Sequence, residues 1–157
     1  MPSMSERFVR RLERIRDEHT AASGALAYVS AYWHRANIFN FPGLQTVGVE
    51  EVQRAAGDLE ATYFIRLFSV FEGVLKEYMA ESHPSIRVAE DVSAAWLIDR
   101  TAKLQQPRIA DLFRERVHAV RRYRNFLVHP GTNTPPFVQF SEALARLTRF
   151  ADRLPSS

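Results

Sequence analysis

The sequence predicts an all-α protein, an antiparallel bundle of four to five helices. Apolar residues recur at steps of three and four over long stretches, as they do on one face of a helix. Proline-containing breakers divide these stretches at 41–43, 83–84 and 130–136. A chain of 157 residues is long enough for one domain around a single core, so we treat 1–157 as one helical domain.

The first two predicted helices are the long ones. The first covers 5–39, with Ser5 as its N-terminal cap. The second covers 49–82 and ends before His83-Pro84. Its apolar residues form a wide arc, which is expected of the most buried helix. One face of this arc carries Phe64, Phe68, Phe71, Leu75 and Tyr78, and beside them lie Tyr63, Leu67, Val70 and Val74.

Three shorter helices are predicted to complete the bundle. The third covers 92–104, and the fourth covers 107–128, with Pro107 in its first turn, where proline is favoured. A loop with the sequence PGTNTPPF separates the fourth helix from the last one, at 141–154. The buried arc expected on the fourth helix consists of Ile109, Leu112, Phe113, Val117, Val120 and Leu127.

Composition limits the function classes. Hydrophobic residues make up 46% of the chain, which indicates a globular protein, and no apolar run is long enough to span a bilayer. The charged N-terminus does not resemble a signal peptide, so we expect a cytoplasmic protein without a membrane partner. Cysteine is absent, which excludes disulfides, thiolate nucleophiles and sulfur-based zinc sites. No metal-ligand cluster, Gly-rich phosphate loop or serine elbow occurs, so no metal or cofactor is expected.

The stretch RRYRNFLVHP, residues 121–130, contains the polar side chains best suited to catalysis or ligand binding. On a helical wheel Arg124 projects into the buried arc, where a cation needs an anion, a second subunit or a wet cleft. The opposite stripe carries His118, Arg121, Asn125 and His129. Pro130 disfavours helical backbone at His129, so its ring is expected to leave the helical path and approach Arg124.

A simpler interpretation of this cluster stays open. Cationic side chains in a last helical turn complement the helix dipole, and Pro130-Gly131 would simply end the helix. A second Arg-x-x-x-x-His pattern, from Arg14 to His19, lies inside a helix without the asparagine or the proline. We interpret that copy as chance.

The motif Arg124-Asn125-Phe126-Leu127-Val128-His129 resembles the Arg-polar-x-x-x-His signature of the HEPN superfamily. The segment YFIRLFSVFEGVLKEY, residues 63–78, is similar to the second helix of that superfamily. The helical pattern covers most of the chain, but only the six-residue motif is specific. The resemblance implies a homodimer in which two copies of the motif share one cleft. It also implies RNA cleavage without metal, often in toxin-antitoxin or antiphage systems.

Carried over to this chain, the resemblance assigns catalytic roles to Arg124, Asn125 and His129. His129 would transfer protons, since histidine ordinarily titrates near neutrality, and Arg124 would bind the scissile phosphate. Asn125 would orient either of them. Arg121 and Arg122 are expected to bind neighbouring RNA phosphates, although a solvated surface role is equally open for Arg122.

Three further positions bear on support of the site and on its regulation. Glu72 would either orient a motif arginine or form an ordinary surface pair with Lys76, and His118 is a second candidate supporting residue. Some HEPN toxins carry a tyrosine that an antitoxin modifies two positions after the histidine. Gly131 stands there in this chain, so a protein blocker or no antitoxin is expected instead.

Two other functions remain open at this point. The chain could be a catalytically inactive HEPN module that binds RNA, nucleotide or a protein partner. It could also be a purely structural bundle, in which the terminal cluster only ends a helix.

Overall fold

The computed structural model describes residues 3–33, 47–105 and 107–154. Within these ranges the chain forms five helices and no strand: α1 Met4–Tyr32, α2 Val49–Ser82, α3 Ala94–Leu104, α4 Asp111–Val128 and α5 Phe140–Ala151. The prediction of an all-α bundle is therefore confirmed. The predicted end of the first helix, near residue 39, lies outside the described residues. None of the helices described is both long and apolar enough to cross a bilayer.

Helix α2 is the centre of the bundle and contacts each of the other four helices. The face predicted to be buried is buried, and it consists of Phe64, Phe68, Phe71, Leu75 and Tyr78. Helix α1 runs antiparallel to α2, because Arg7 near its start pairs with Glu81 at 3.0 Å and His19, further along, lies 2.7 Å from Glu60. Exposed ion pairs contribute little to stability, so the apolar contact holds these two helices together.

Two helices begin at serine caps that differ from the predicted starts. Ser3, and not Ser5, caps α1: its hydroxyl accepts from the backbone N–H of Glu6 at 3.2 Å, and the Glu6 carboxylate accepts from the Ser3 N–H at 2.8 Å. This reciprocal capping box satisfies two donors that the helix itself leaves unpaired. Helix α3 begins at Ala94 instead of residue 92, because the Ser93 hydroxyl accepts from the Trp96 N–H at 3.2 Å.

The predicted start of the fourth helix at Pro107 is wrong, because α4 begins at Asp111. Ile109 is buried, and its backbone N–H donates to the Ala102 carbonyl at 3.3 Å, which ties the chain back to α3. Ala110, the N-cap, is extended with ψ 145°. Tertiary burial of Ile109 therefore outweighs the preference of proline for a first helical turn. The last helix, predicted at 141–154, covers Phe140–Ala151.

The prediction was wrong for one core residue on α4. Leu112 is 62% exposed, whereas Val117 and Val120 are fully buried and Phe113 packs against the core. Adjacent helical positions are about 100° apart, so Leu112 turns away from the core when Phe113 faces it. The apolar arc of α4 is therefore narrower than the sequence pattern suggests.

Truncating the centre of the core tests this architecture. Phe71→Ala removes a fully buried ring that packs edge-on against Phe150, with 5.7 Å between the ring centroids. We expect the free energy of unfolding to fall by about 3–5 kcal/mol, because a cavity remains. The exposed control Leu112→Ala should change it by less than about 0.5 kcal/mol. Chemical denaturation followed by circular dichroism measures both, and equal losses would contradict the assignment of the core.

Candidate functional site

An open groove of about 900 Å³ lies between the last turns of α4 and the loop that follows it. The loop from Gly131 to Pro136 forms one wall, and polar residues of α4 form the other. The α4 wall and the helix end consist of Arg121, Arg122, Arg124, Asn125, Phe126 and His129. In the part of the chain that the structure describes, no acidic residue lines this groove. The structure thus places the three motif residues and the two flanking arginines, all predicted to bind or cleave, on one basic surface.

His129 ends α4 and leaves the helical path. Its backbone angles are φ −132° and ψ 78°, and its N–H donates to the carbonyl of Asn125 at 2.8 Å. This is the departure that Pro130 predicts, because a proline disfavours helical backbone in the residue before it. The imidazole is exposed and lines the groove. It can therefore exchange protons with a ligand or with water.

Arg124 is held from three directions. Its guanidinium carbon lies 5.7 Å from the centroid of the Phe68 ring, a cation–π contact. One terminal nitrogen is 3.7 Å from the Glu72 carboxylate, and the other donates to the side-chain oxygen of Asn125 at 3.2 Å. The Arg124 side chain is 25% exposed, so its apolar stem is covered while part of the charged head reaches the groove.

Glu72 is placed against the motif arginine and not in a surface pair with Lys76. The Lys76 ammonium instead donates to the backbone carbonyl of Glu90 at 3.0 Å. The Glu72 side chain is only 24% exposed, which reduces the screening of its attraction to Arg124 by water. Of the two interpretations of Glu72 from sequence, the contacts favour the one in which it orients Arg124.

The two flanking arginines differ in how free their charge is. Arg121 forms no ion pair within the described residues, and its Nε atom is buried without a hydrogen-bond partner. Arg122 donates to the Glu115 carboxylate at 2.7 Å. This hydrogen bond lowers the pKa of Glu115, opposed by partial burial and assisted by the charges of Arg122, His118 and Arg114. Arg121 is therefore the flanking arginine with more charge available to a ligand.

His118 does not reach the groove. Its side chain is 11% exposed, and its Nε2 lies 3.0 Å from the Asp99 carboxylate of α3. Asp99 also lies 3.5 Å from the Nε of Arg114. The structure thus places this candidate supporting residue in the packing of α3 against α4, and the wheel missed this because it ignores the neighbouring helix.

Sequence reasoning missed the second wall of the groove. Thr132, Asn133 and Thr134 supply hydroxyl and amide groups opposite the arginines. Asparagine and threonine are common in any loop, so their presence after Pro130-Gly131 gave no signal by itself. Phe68, the ring under Arg124, was predicted only as core, since a wheel of one helix cannot show which cation lies above it.

No protein-family model, curated protein or solved structure matches this chain. Among the residues that the structure describes, no group of three or more histidine and acidic side chains is arranged to hold a metal ion. The groove combines positive charge, an exposed imidazole, and amide and hydroxyl groups. Such a set suits a ligand that carries phosphate.

The contact between Arg122 and Glu115 predicts a measurable titration change. Arg122→Gln removes the hydrogen bond and the charge that lower the Glu115 pKa, so that pKa should rise toward its ordinary value. The neighbouring variant Arg121→Gln should leave it nearly unchanged. A pH titration of the Glu115 carboxyl carbon by NMR measures both. An unaltered Glu115 pKa in Arg122→Gln would show that Arg122 is not held by this carboxylate in solution.

Proposed function

We propose that this protein is a HEPN-like, metal-independent endoribonuclease whose site is built from Arg124, Asn125 and His129 of two identical chains. One observation carries the proposal. The exposed imidazole of His129 lines the same basic groove as the guanidinium of Arg124, which Phe68 and Glu72 hold in place. A proton-transferring group beside a fixed cation is what phosphodiester cleavage by an internal nucleophile requires.

The proposed reaction needs only side chains and the RNA itself. His129 takes the proton of a 2'-hydroxyl while that oxygen forms a bond to phosphorus. The bond from phosphorus to the 5'-oxygen then breaks, and that oxygen receives a proton from the partner subunit's His129. The products are a 2',3'-cyclic phosphate and a free 5'-hydroxyl. No oxidant, reductant or water molecule is consumed in this step.

Arg124 stabilises the charge that builds on the phosphoryl oxygens. Its contacts with Phe68 and Glu72 fix the guanidinium before substrate binds, so little ordering is needed during the reaction. Asn125, whose side-chain oxygen accepts from Arg124 at 3.2 Å, helps to fix the orientation of the guanidinium. Arg121, with no internal ion pair among the described residues, binds an adjacent backbone phosphate.

Two chains are proposed because one imidazole serves poorly as both base and acid in a single step. The groove is open on the side away from the bundle core, and the partly exposed ring of Phe126 lies in its wall. A second chain would cover that ring and bring its own histidine to the cleft. The RNA backbone between the two grooves would offset the repulsion of their arginines.

The biological role proposed for this activity is that of a toxin or antiphage effector in the cytoplasm. Cleavage of RNA by such a small, basic site would need restraint in the host cell. Position 131, where some HEPN toxins carry the modified tyrosine, is a glycine in this chain, so a blocking protein that covers the groove is the proposed form of control. A small antitoxin gene beside this one would support that role.

Removing the imidazole tests the chemistry. In His129→Ala, cleavage of single-stranded RNA should fall at least about a hundredfold, because general acid–base catalysis contributes that much or more. Size-exclusion behaviour and RNA affinity should be retained, since the arginines remain. The matched control is His83→Ala: His83 ends α2 before Pro84 with similar backbone angles, φ −136° and ψ 59°, but contacts Tyr78 and not the groove. This variant should keep its cleavage activity when folded.

Cleavage by purified His129→Ala at the wild-type rate would remove the proposed mechanism. A wild-type protein that binds RNA with a steep salt dependence but never cleaves it would instead be the inactive binding module. A wild-type protein whose RNA binding is absent even at low salt would exclude both RNA functions and leave the structural bundle or a module that binds nucleotide or a protein partner.

Mixed dimers test the composite site. Two differently tagged chains, one wild type and one His129→Ala, can be co-expressed and the heterodimer purified through both tags. It should cleave nearly as slowly as the His129→Ala homodimer, because a single turnover uses both histidines. A heterodimer of wild type with His83→Ala should keep full activity. About half of the wild-type rate in the His129→Ala heterodimer would show that each chain acts alone.

A further inference from the structure

Phe137 is the most exposed large apolar side chain among the described residues, with 67% of its surface accessible. It directly follows Pro135 and Pro136, which line the basic groove. Phe137 itself lines a second pocket of about 510 Å³. Fully burying a phenylalanine ring is worth roughly 1.5–3 kcal/mol, so an accessible ring that lines a pocket and adjoins the groove in sequence is a candidate contact surface.

The ring is held in place by its neighbours in the chain. The two preceding prolines fix their own φ angles, and the following residue, Val138, is buried in the core. Side chains alternate sides in extended backbone, so Phe137 and Gln139 lie on the outer side while Val138 and Phe140 are buried. The backbone that carries the Phe137 ring therefore has little conformational freedom left to lose on binding.

An aromatic path joins the groove to the ring. Phe126, which lines the groove, lies 6.4 Å from Tyr123 between ring centroids, and Tyr123 lies 5.5 Å from Phe137 in an edge-on arrangement. Burial, and then the charge of Glu60, raise the pKa of Tyr123, so its hydroxyl stays neutral. Tyr123 contacts Phe137 at 88°, and 67% of the Phe137 surface stays accessible beside this contact.

The pocket beside Phe137 has polar groups suited to the edge of a planar ligand. His19 lies inside it, stacked on Phe140 at 4.1 Å and 2.7 Å from the Glu60 carboxylate. That contact uses one oxygen of Glu60, whose side chain is 47% exposed. Gln139 is the N-cap residue of α5, but its side chain makes no capping hydrogen bond. A carboxylate acceptor and an amide thus remain available beside the free ring.

We propose that Phe137 is a stacking platform for one nucleobase of single-stranded RNA, and that Glu60 and Gln139 bind the edge of that base. This inference rests on the proposed function, because the arginine groove would hold the sugar-phosphate backbone of the same strand. Single-stranded RNA is recognised in this way, with aromatic rings under the bases and polar groups along their edges. A carboxylate accepts but does not donate, so a base whose exocyclic amino group offers two N–H donors is preferred to uracil, which offers the single donor N3–H on its pairing edge.

Binding is measured apart from cleavage with 2'-O-methyl oligonucleotides, which lack the attacking hydroxyl. Phe137→Ala should weaken the binding of a single-stranded oligonucleotide about five- to a hundredfold in fluorescence anisotropy, as loss of one base–aromatic stack does. Phe137→Trp should restore it. Leu112→Ala, which removes an equally exposed apolar side chain elsewhere on the bundle, should have no effect. Unfolding curves should match the wild type, because Phe137 is exposed.

A series of oligonucleotides with one abasic site at successive positions separates stacking from loop shape. At one position the abasic site should weaken binding to the wild type, and the same oligonucleotide should bind Phe137→Ala almost as well as the intact strand does. Glu60→Gln should reduce the preference for an amino-bearing base over uracil at that same position. An equal loss for intact and abasic strands in Phe137→Ala, or no loss at all, would overturn the platform while leaving the cleavage proposal intact. A wild-type protein that binds no RNA would refute both.

Discussion

The packing of Arg124 on the ring of Phe68 is the contact on which the geometry of the groove depends. It joins the central helix to the helix that carries the motif, and it lets a cation cross an apolar arc without full burial. The carboxylate of Glu72 offsets part of the charge at 3.7 Å. A shift of α4 along α2 would break both contacts together, so the packing of the core and the geometry of the site depend on the same alignment of these two helices.

Helix content and the identity of the buried face were readable from sequence because each depends on local periodicity. The seven buried residues of α2 from Phe64 to Tyr78 all belong to the apolar arc predicted from sequence. Helix starts were less accessible, as Pro107 shows: it lies outside α4 because Ile109 packs against α3. A preference of one residue for a first turn is weak compared with the burial of a neighbouring side chain.

The proximity of the motif residues to one another was predictable, because they lie on the same helix and their relative directions can be read from one helical wheel. Partners contributed by other elements were harder to foresee. For Glu72, the sequence left two interpretations open. His118 was expected on the wrong surface, because a helical wheel of α4 alone does not show Asp99 of α3 opposite it. No sequence pattern indicated that the loop from Gly131 to Pro136 forms a wall of the groove, because the path of this loop depends on where Val138 and Phe140 are buried.

Two histidines in this fold stand before prolines at helix ends with nearly the same backbone angles, His83 and His129. One ring contacts a buried tyrosine, and the other faces solvent. In each case the adjacent proline disfavours helical backbone at the histidine, and the surroundings decide whether the imidazole makes a structural contact or stays accessible to a ligand. Substitutions in core residues far from α4 can therefore change the stability of the fold without changing how His129 leaves its helix.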